Sequence, residues 1–183
     1  MILSVISFLV LLIKYLIFYI YLYFSGKSLF QIINYFRKKV SSEKYILMTR
    51  VEFLYPLLGI IFVSNILFLL NTFFPLDSIL VNLILFLIIA PSFLQSLINK
   101  NIMKVFKNKN LFSVFIYVLI PSILVISTFD INFNYDAGYY HLLHQNWLRE
   151  SNLIIGFVNI FWPLGMSSIY EYISAVLWFD TSF

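Results

Sequence analysis

The chain has 183 residues, of which 62% are hydrophobic, 20% aromatic and only 11% charged. Soluble domains average about 45–50% apolar and about 25% charged residues, so the composition excludes an ordinary soluble domain and predicts a protein embedded in a bilayer. The absence of cysteine excludes disulfides and thiolate chemistry. The net charge of +4 does not indicate nucleic-acid binding, because ten of the twelve Lys and Arg residues fall in two segments between apolar runs.

Four apolar stretches are each about 20 residues long, which is the length needed to cross the hydrocarbon core. They are residues 1–24, 51–74, 79–97 and 111–129. Lys14 interrupts the first, and we expect it to reach the membrane surface, to point into the bundle, or to serve as a counter-ion for an acid or a phosphate. The sequence therefore predicts an all-α polytopic membrane helix bundle with four full spans in a single domain, residues 1–183.

The distribution of basic residues predicts the orientation. Residues 25–50 hold six Lys and Arg and residues 98–110 hold four, whereas the chain after residue 129 holds only Arg149. Basic connections face the cytoplasm, so the N-terminus and residues 130–152 should be periplasmic in a bacterial inner membrane. Residues 25–50 could form an amphipathic surface helix or an ordinary solvated loop.

Residues 153–183 are apolar again but are broken by Gly156, Pro163 and Gly165. We expect a re-entrant segment or the start of a fifth span. Ser168 and Glu171 have the spacing of a capping box, which predicts a helix start. A helix from there to residue 179 would cover about half of the hydrocarbon core. We therefore expect the polypeptide to be the truncated, N-terminal part of a longer protein.

Residues 130–152 gather acids, histidines and aromatics after the long apolar runs. With Asp136 as N-cap, a helix would align Asp136, Tyr140 and His144 on one face, with His141 one turn from His144. An acid beside imidazoles can bind a divalent metal ion or take a proton from a hydroxyl, and aromatics such as Trp147 can stack on sugar rings. The same residues could instead be a helix cap, solvated histidines and an interfacial aromatic belt.

A resemblance to a known family rests on this segment. Residues 135–142, Tyr-Asp-Ala-Gly-Tyr-Tyr-His-Leu, are followed by Trp147, Gly156, Asn159 and the run Gly-Met-Ser-Ser at 165–168. The pattern resembles bacterial polytopic inner-membrane proteins of surface-polysaccharide synthesis and, more distantly, the first periplasmic loop of the GT-C membrane glycosyltransferases.

The resemblance implies roles for two residues. Asp136 would be the catalytic base or a metal contact, and His141 would be a catalytic residue beside the donor phosphate. The residue types and helical spacing of the segment, rather than the resemblance, add Tyr140, His144 and Trp147 as expected substrate-binding residues. A divalent metal ion is the only cofactor that these roles imply.

Two functions remain open. The first is the N-terminal part of a GT-C-like glycosyltransferase or polysaccharide-assembly protein that uses a polyprenyl-linked sugar donor and is inactive as an isolated chain. The second is a non-enzymatic small membrane protein, either a transporter or flippase fragment or a complex subunit, which the proline-interrupted spans at Pro56, Pro91 and Pro121 would also suit. The expected partners are the lipid bilayer, the polyprenyl-phosphate-linked sugar, and a membrane-protein partner or a missing C-terminal half.

Overall fold

A computed structural model describes residues 2–40, 54–98, 119–120, 122–123, 126, 137–163 and 168–177. The elements in chain order are α1 (Ile2–Val40), α2 (Tyr55–Asn71), α3 (Ile79–Ile98), a π-helical turn (Ala137–His141), α4 (Leu142–Glu150), α5 (Phe157–Ile160) and α6 (Ile169–Leu177). All regular structure within these ranges is helical and none is strand. The predicted all-α class is confirmed.

Two described helices are long and apolar enough to cross a membrane by length and composition. They are the segment Val5–Arg37 of α1 and the whole of α3, and only 6% and 22% of their most apolar windows are buried. Helix α2 is apolar but only 17 residues long, about 26 Å at 1.5 Å per residue. The predicted fourth span, residues 111–129, lies mostly outside the described residues, so two of the four predicted full spans meet the criterion.

Two helices have bounds that differ from those of the predicted spans. The first span was predicted to end at residue 24, but α1 continues without a break to Val40. No proline interrupts this stretch, and the small residues Ser25 and Ser28 are buried within it. The second span was predicted over residues 51–74, but α2 covers only Tyr55–Asn71 because Pro56 lies in its first turn and a tight turn follows Asn71.

Helices α1 and α2 cross at two glycines. A Cβ added at Gly26 would lie 1.9 Å from the Tyr55 carbonyl oxygen, and one added at Gly59 would lie 2.0 Å from the Leu22 carbonyl oxygen. The backbones therefore approach as closely as two helices can. Without a hydrophobic driving force between helices in lipid, such small-residue contacts are a main source of helix association.

Helices α1 and α3 run parallel and are joined by polar contacts. Ser28 Oγ donates to Ser92 Oγ at 2.8 Å, and the Tyr21 hydroxyl donates to the Leu85 carbonyl at 3.2 Å. Each pair is separated by 64 residues. Extending this offset places Lys14 level with Ser78, just before α3 begins, while α1 continues toward its N-terminus at Ile2.

The α2–α3 turn receives the end of α4. Asn71 is fully buried, and its Nδ2 donates to the carbonyls of Leu148, Ser151 and Phe74 at 3.0, 3.1 and 3.2 Å. The Leu76 amide also donates to the Leu148 carbonyl at 3.0 Å. These bonds hold α4 at the end of the anchor opposite the C-terminus of α1, which carries Arg37 and the two lysines after it.

A small apolar core lies beneath this junction. Leu67 of α2, Val81 of α3, Leu148 of α4 and Tyr172 of α6 are all buried in one cluster, with Leu76 from the turn. The four helices therefore meet at one end of the bundle. This end of the bundle is also where the α2–α3 turn lies.

The glycine crossing predicts a position-specific loss of stability. We expect Gly59→Ala to lower the free energy of unfolding in mixed detergent micelles by about 1–3 kcal/mol, because the new Cβ must displace backbone. Gly138→Ala is the matched control, since nothing lies within 4 Å of a Cβ added there. Equal stability of Gly59→Ala and the unmodified chain would contradict the close crossing.

Candidate functional site

Two histidines lie on one short helical segment. His141 ends the π-helical turn, and His144 lies in the first turn of α4. The predicted helix after Asp136 is thus present in the described part, but its first turn is π-helical. A π-turn is wider than an α-turn and changes which residues share a face, and such turns are frequent at functional sites. Asp136, the first residue of the predicted alignment with Tyr140 and His144, lies outside the described residues, so that alignment stays a prediction.

Glu171 of α6 joins the two histidines. His141 Nδ1 lies 2.6 Å from Oε1 of Glu171, and His144 Nδ1 hydrogen-bonds Oε2 of the same carboxylate. Each carboxylate oxygen therefore receives one imidazole nitrogen. We call this arrangement of His141, Glu171 and His144 the His–Glu–His cluster.

The three groups differ sharply in exposure. The side chain of His141 is 34% exposed, that of His144 is 6% exposed and that of Glu171 is 1% exposed. A buried carboxylate is costly unless it is paired and hydrogen-bonded, and here two donors satisfy it. His141 is the one member of the cluster that solvent or a substrate can reach.

The cluster changes the protonation of its own acid and of a neighbouring phenol. Burial alone would raise the pKa of Glu171, but the hydrogen bonds from His144 and His141, with their charges when protonated, hold the pKa below its ordinary value of 4.5. Burial raises the pKa of Tyr172, and the negative charge of Glu171 raises it further. Glu171 is therefore an ionised acceptor at neutral pH, beside a protonated phenol.

Packing of α6 aims Glu171 at α4. The Tyr172 ring makes an edge contact with Phe68 of α2 at 5.4 Å, and Ile173 and Ala175 enter the core. Glu171 lies in the first turn of α6, where a negative charge is favoured by the helix dipole. Its amide donates to the Ser168 carbonyl at 3.0 Å, but its carboxylate accepts from the histidines instead of closing the predicted capping box.

The predicted site residues are partly brought together. His141 and His144 meet on Glu171, and the Tyr140 ring lies against that of His141, with 4.2 Å between ring centroids. Trp147 is half-buried one turn beyond His144 on α4. Asp136, which was predicted as catalytic base and metal contact, lies outside the described residues.

Glu171 is the functional candidate that the sequence analysis missed. We interpreted it as a capping residue because Ser168 precedes it at the right spacing. A signal was present, since an acid inside an apolar segment needs a partner, and the chain has only two histidines with which to pair it. The sequence could not show that α6 folds back onto α4, 27 residues away from His144.

The described ranges hold no group of three or more His, Asp or Glu side chains arranged to bind a metal ion. Both Nδ1 atoms of the cluster already face the carboxylate. The predicted metal contact through Asp136 stays a prediction.

Comparison of the chain with models of known protein families, with curated proteins and with solved structures finds no match.

The buried carboxylate predicts a stability effect. We expect Glu171→Gln to lower the free energy of unfolding at neutral pH by about 1.5–3 kcal/mol, because the amide replaces one carboxylate oxygen that accepts a hydrogen bond from a histidine. Glu150→Gln is the control, because that carboxylate on α4 is exposed and its loss should change stability by no more than about 0.5 kcal/mol.

The pH dependence of stability can be compared between the unmodified chain and Glu171→Gln. The pKa of Glu171 is lower in the folded chain than its ordinary value of 4.5, so its contribution is fully present above about that pH. As the pH falls through the lower folded value, the carboxylate takes up a proton and the contribution is lost. The stability gap between the unmodified chain and Glu171→Gln should therefore narrow only below pH 4.5. A constant gap across equilibrium unfolding at pH 3 to 7 would contradict the assignment.

Proposed function

We propose that this chain is a portion of a GT-C-like membrane glycosyltransferase, or of a related polysaccharide-assembly protein, that uses a polyprenyl-linked sugar donor. The proposal includes a bacterial inner-membrane location with the His–Glu–His cluster on the periplasmic side. It also includes residues 111–129 as a further span and dependence on another portion or partner for turnover.

One observation carries the proposal. A buried carboxylate holds two imidazoles, and the partly exposed imidazole lies on the segment whose end binds the α2–α3 turn of the apolar helices. A protein must bind a lipid-linked donor near the membrane surface, because the polyprenyl chain stays in the bilayer while the phosphate and sugar lie at the surface. The cluster and the anchor therefore suit this class of substrate.

The chemistry of glycosyl transfer needs groups that this end of the chain can supply. An acceptor hydroxyl must lose a proton, for which an imidazole or Asp136 is suited. The leaving phosphate needs a cation, and Lys14 lies near the same end of the bundle by the register of α1 and α3. A divalent metal ion at Asp136 would serve the same purpose. Tyr140 beside His141 offers a flat ring for a sugar.

A second function has its own supporting observation. Glu171 and His144 are almost fully buried, so the cluster could serve only to fasten α6 to α4 in a non-enzymatic membrane subunit or transporter fragment. In that case His141 would have no ligand. The two functions differ in whether a lipid-linked sugar binds at His141.

Donor binding distinguishes them. We expect the full chain in nanodiscs to bind a polyprenyl phosphate–glucose, and His141→Ala to weaken that binding by about tenfold, the equivalent of one charge-assisted hydrogen bond. Binding can be measured by microscale thermophoresis. Asn65→Ala, at an exposed position of α2, is the control and should bind as the unmodified chain does.

Two results would count against the proposal. Absence of donor binding, or equal binding by His141→Ala, would favour the non-enzymatic subunit. Sugar transfer by the isolated chain, abolished by Asp136→Ala, would contradict the dependence on a further portion while supporting the role of Asp136.

The orientation has a separate test. A reporter enzyme active only in the periplasm, fused after Asn152, should be active when the chain is expressed in a bacterium, because α4 lies at the end opposite the basic C-terminus of α1. A reporter active only in the cytoplasm is the matched control and should be silent at the same position. The reverse pattern would reject the periplasmic site.

A further inference from the structure

The two histidines of the cluster share Glu171 as hydrogen-bond acceptor but differ in exposure to solvent. Glu171 offers one oxygen to each Nδ1, and an ionised carboxylate can only accept hydrogen bonds. Each Nδ1 must therefore carry a hydrogen. In the neutral imidazole this leaves Nε2 of each ring as the atom with a free lone pair.

Exposure then separates the two Nε2 atoms. The His141 side chain is 34% exposed, whereas that of His144 is 6% exposed. A base must come within hydrogen-bond reach of the proton that it removes, so a buried ring cannot act on a bulky sugar acceptor. His144 is hydrogen-bonded to Glu171 and lies on the same helix as Leu148, which enters the apolar core.

We propose that His141 Nε2 is the proton-accepting atom of the site, that Glu171 is a positioning residue that fixes the His141 tautomer, and that His144 is a brace that does not touch substrate. This inference rests on the proposed function for its substrate class. It differs from the roles expected from the sequence, in which His144 binds substrate and Glu171 only caps a helix.

The step balances as a simple displacement. The hydroxyl oxygen of the acceptor forms a bond to the anomeric carbon while its proton moves to His141 Nε2. The bond from the anomeric carbon to the phosphate oxygen breaks, and the electron pair leaves with the polyprenyl phosphate. The imidazolium that forms at His141 is stabilised by the Glu171 carboxylate on its other nitrogen, the arrangement by which a buried acid orients a catalytic histidine.

The tautomer can be observed directly, because the chain contains only two histidines. Nitrogen-15 NMR of the full, histidine-labelled chain in nanodiscs should show Nδ1–H on both neutral rings, with the two rings assigned through His144→Asn. Glu171→Gln should release His141 to a mixture of tautomers, whereas Glu150→Gln should leave it unchanged. An Nε2–H tautomer at His141 in the unmodified chain would overturn the inference, whether or not Glu171→Gln folds.

Chemical reactivity gives the second measurement. Diethyl pyrocarbonate, which acylates a free imidazole nitrogen, should modify His141 several-fold faster than His144, as read by mass spectrometry. Equal rates would overturn the distinction between base and brace. Polyprenyl phosphate–glucose should slow modification of His141 only.

The outcomes separate the two proposals. If the tautomer and the reactivity are as expected but the donor gives no protection, the positioning by Glu171 stands as a property of the site and the glycosyltransferase proposal fails. If the donor protects but His141 carries Nε2–H, the donor site stands and His141 is not its base.

Discussion

The packing of α6 against α4 depends on a single carboxylate shared by two imidazoles. Glu171 is 1% exposed, and a charge buried so completely is tolerated only when its hydrogen bonds are met. His141 and His144 meet them from another helix, so the cost of burying the acid becomes a constraint on how α4 and α6 pack. Loss of that pairing would leave an uncompensated charge within the junction. The same two hydrogen bonds therefore hold α6 against α4 and position the imidazoles of the candidate site.

The anchor beneath the cluster uses a different kind of contact. Gly26 and Gly59 let two backbones touch, and a serine pair, Ser28 with Ser92, joins the parallel helices. Small residues and short polar bonds are effective between helices whose outer faces are already apolar, because lipid competes with any purely apolar contact. Close backbone contacts and short polar bonds thus stabilise α1, α2 and α3, whereas hydrogen bonds to a carboxylate stabilise the His–Glu–His cluster. This division allows the exposed ring of His141 to lie at the surface while its partners stay buried.

The three side chains of the cluster differ in exposure, and His141 is the one that a ligand can reach. Two of its three side chains are buried and would serve a structural lock equally well. His141 is different, since one third of its side chain is exposed beside the ring of Tyr140. The same segment binds the α2–α3 turn through Leu148 and Ser151, away from the basic C-terminus of α1. Under the proposed function, the His141 ring is the group that would contact the phosphate and sugar of the donor.

The sequence by itself determined the all-helical class and the long apolar helices, because hydrophobic length is a local property that bilayer thickness converts into structure. It also singled out His141, His144 and Tyr140 as neighbours on one helix. It did not determine that α1 continues through Ser25, or that Glu171 is their partner, since both depend on which distant surfaces pack together. The capping-box spacing of Ser168 and Glu171 can be seen from neighbouring residues alone. The partners of a buried carboxylate depend on which distant helices pack against it. Only the tertiary structure decided that these donors are the two imidazoles.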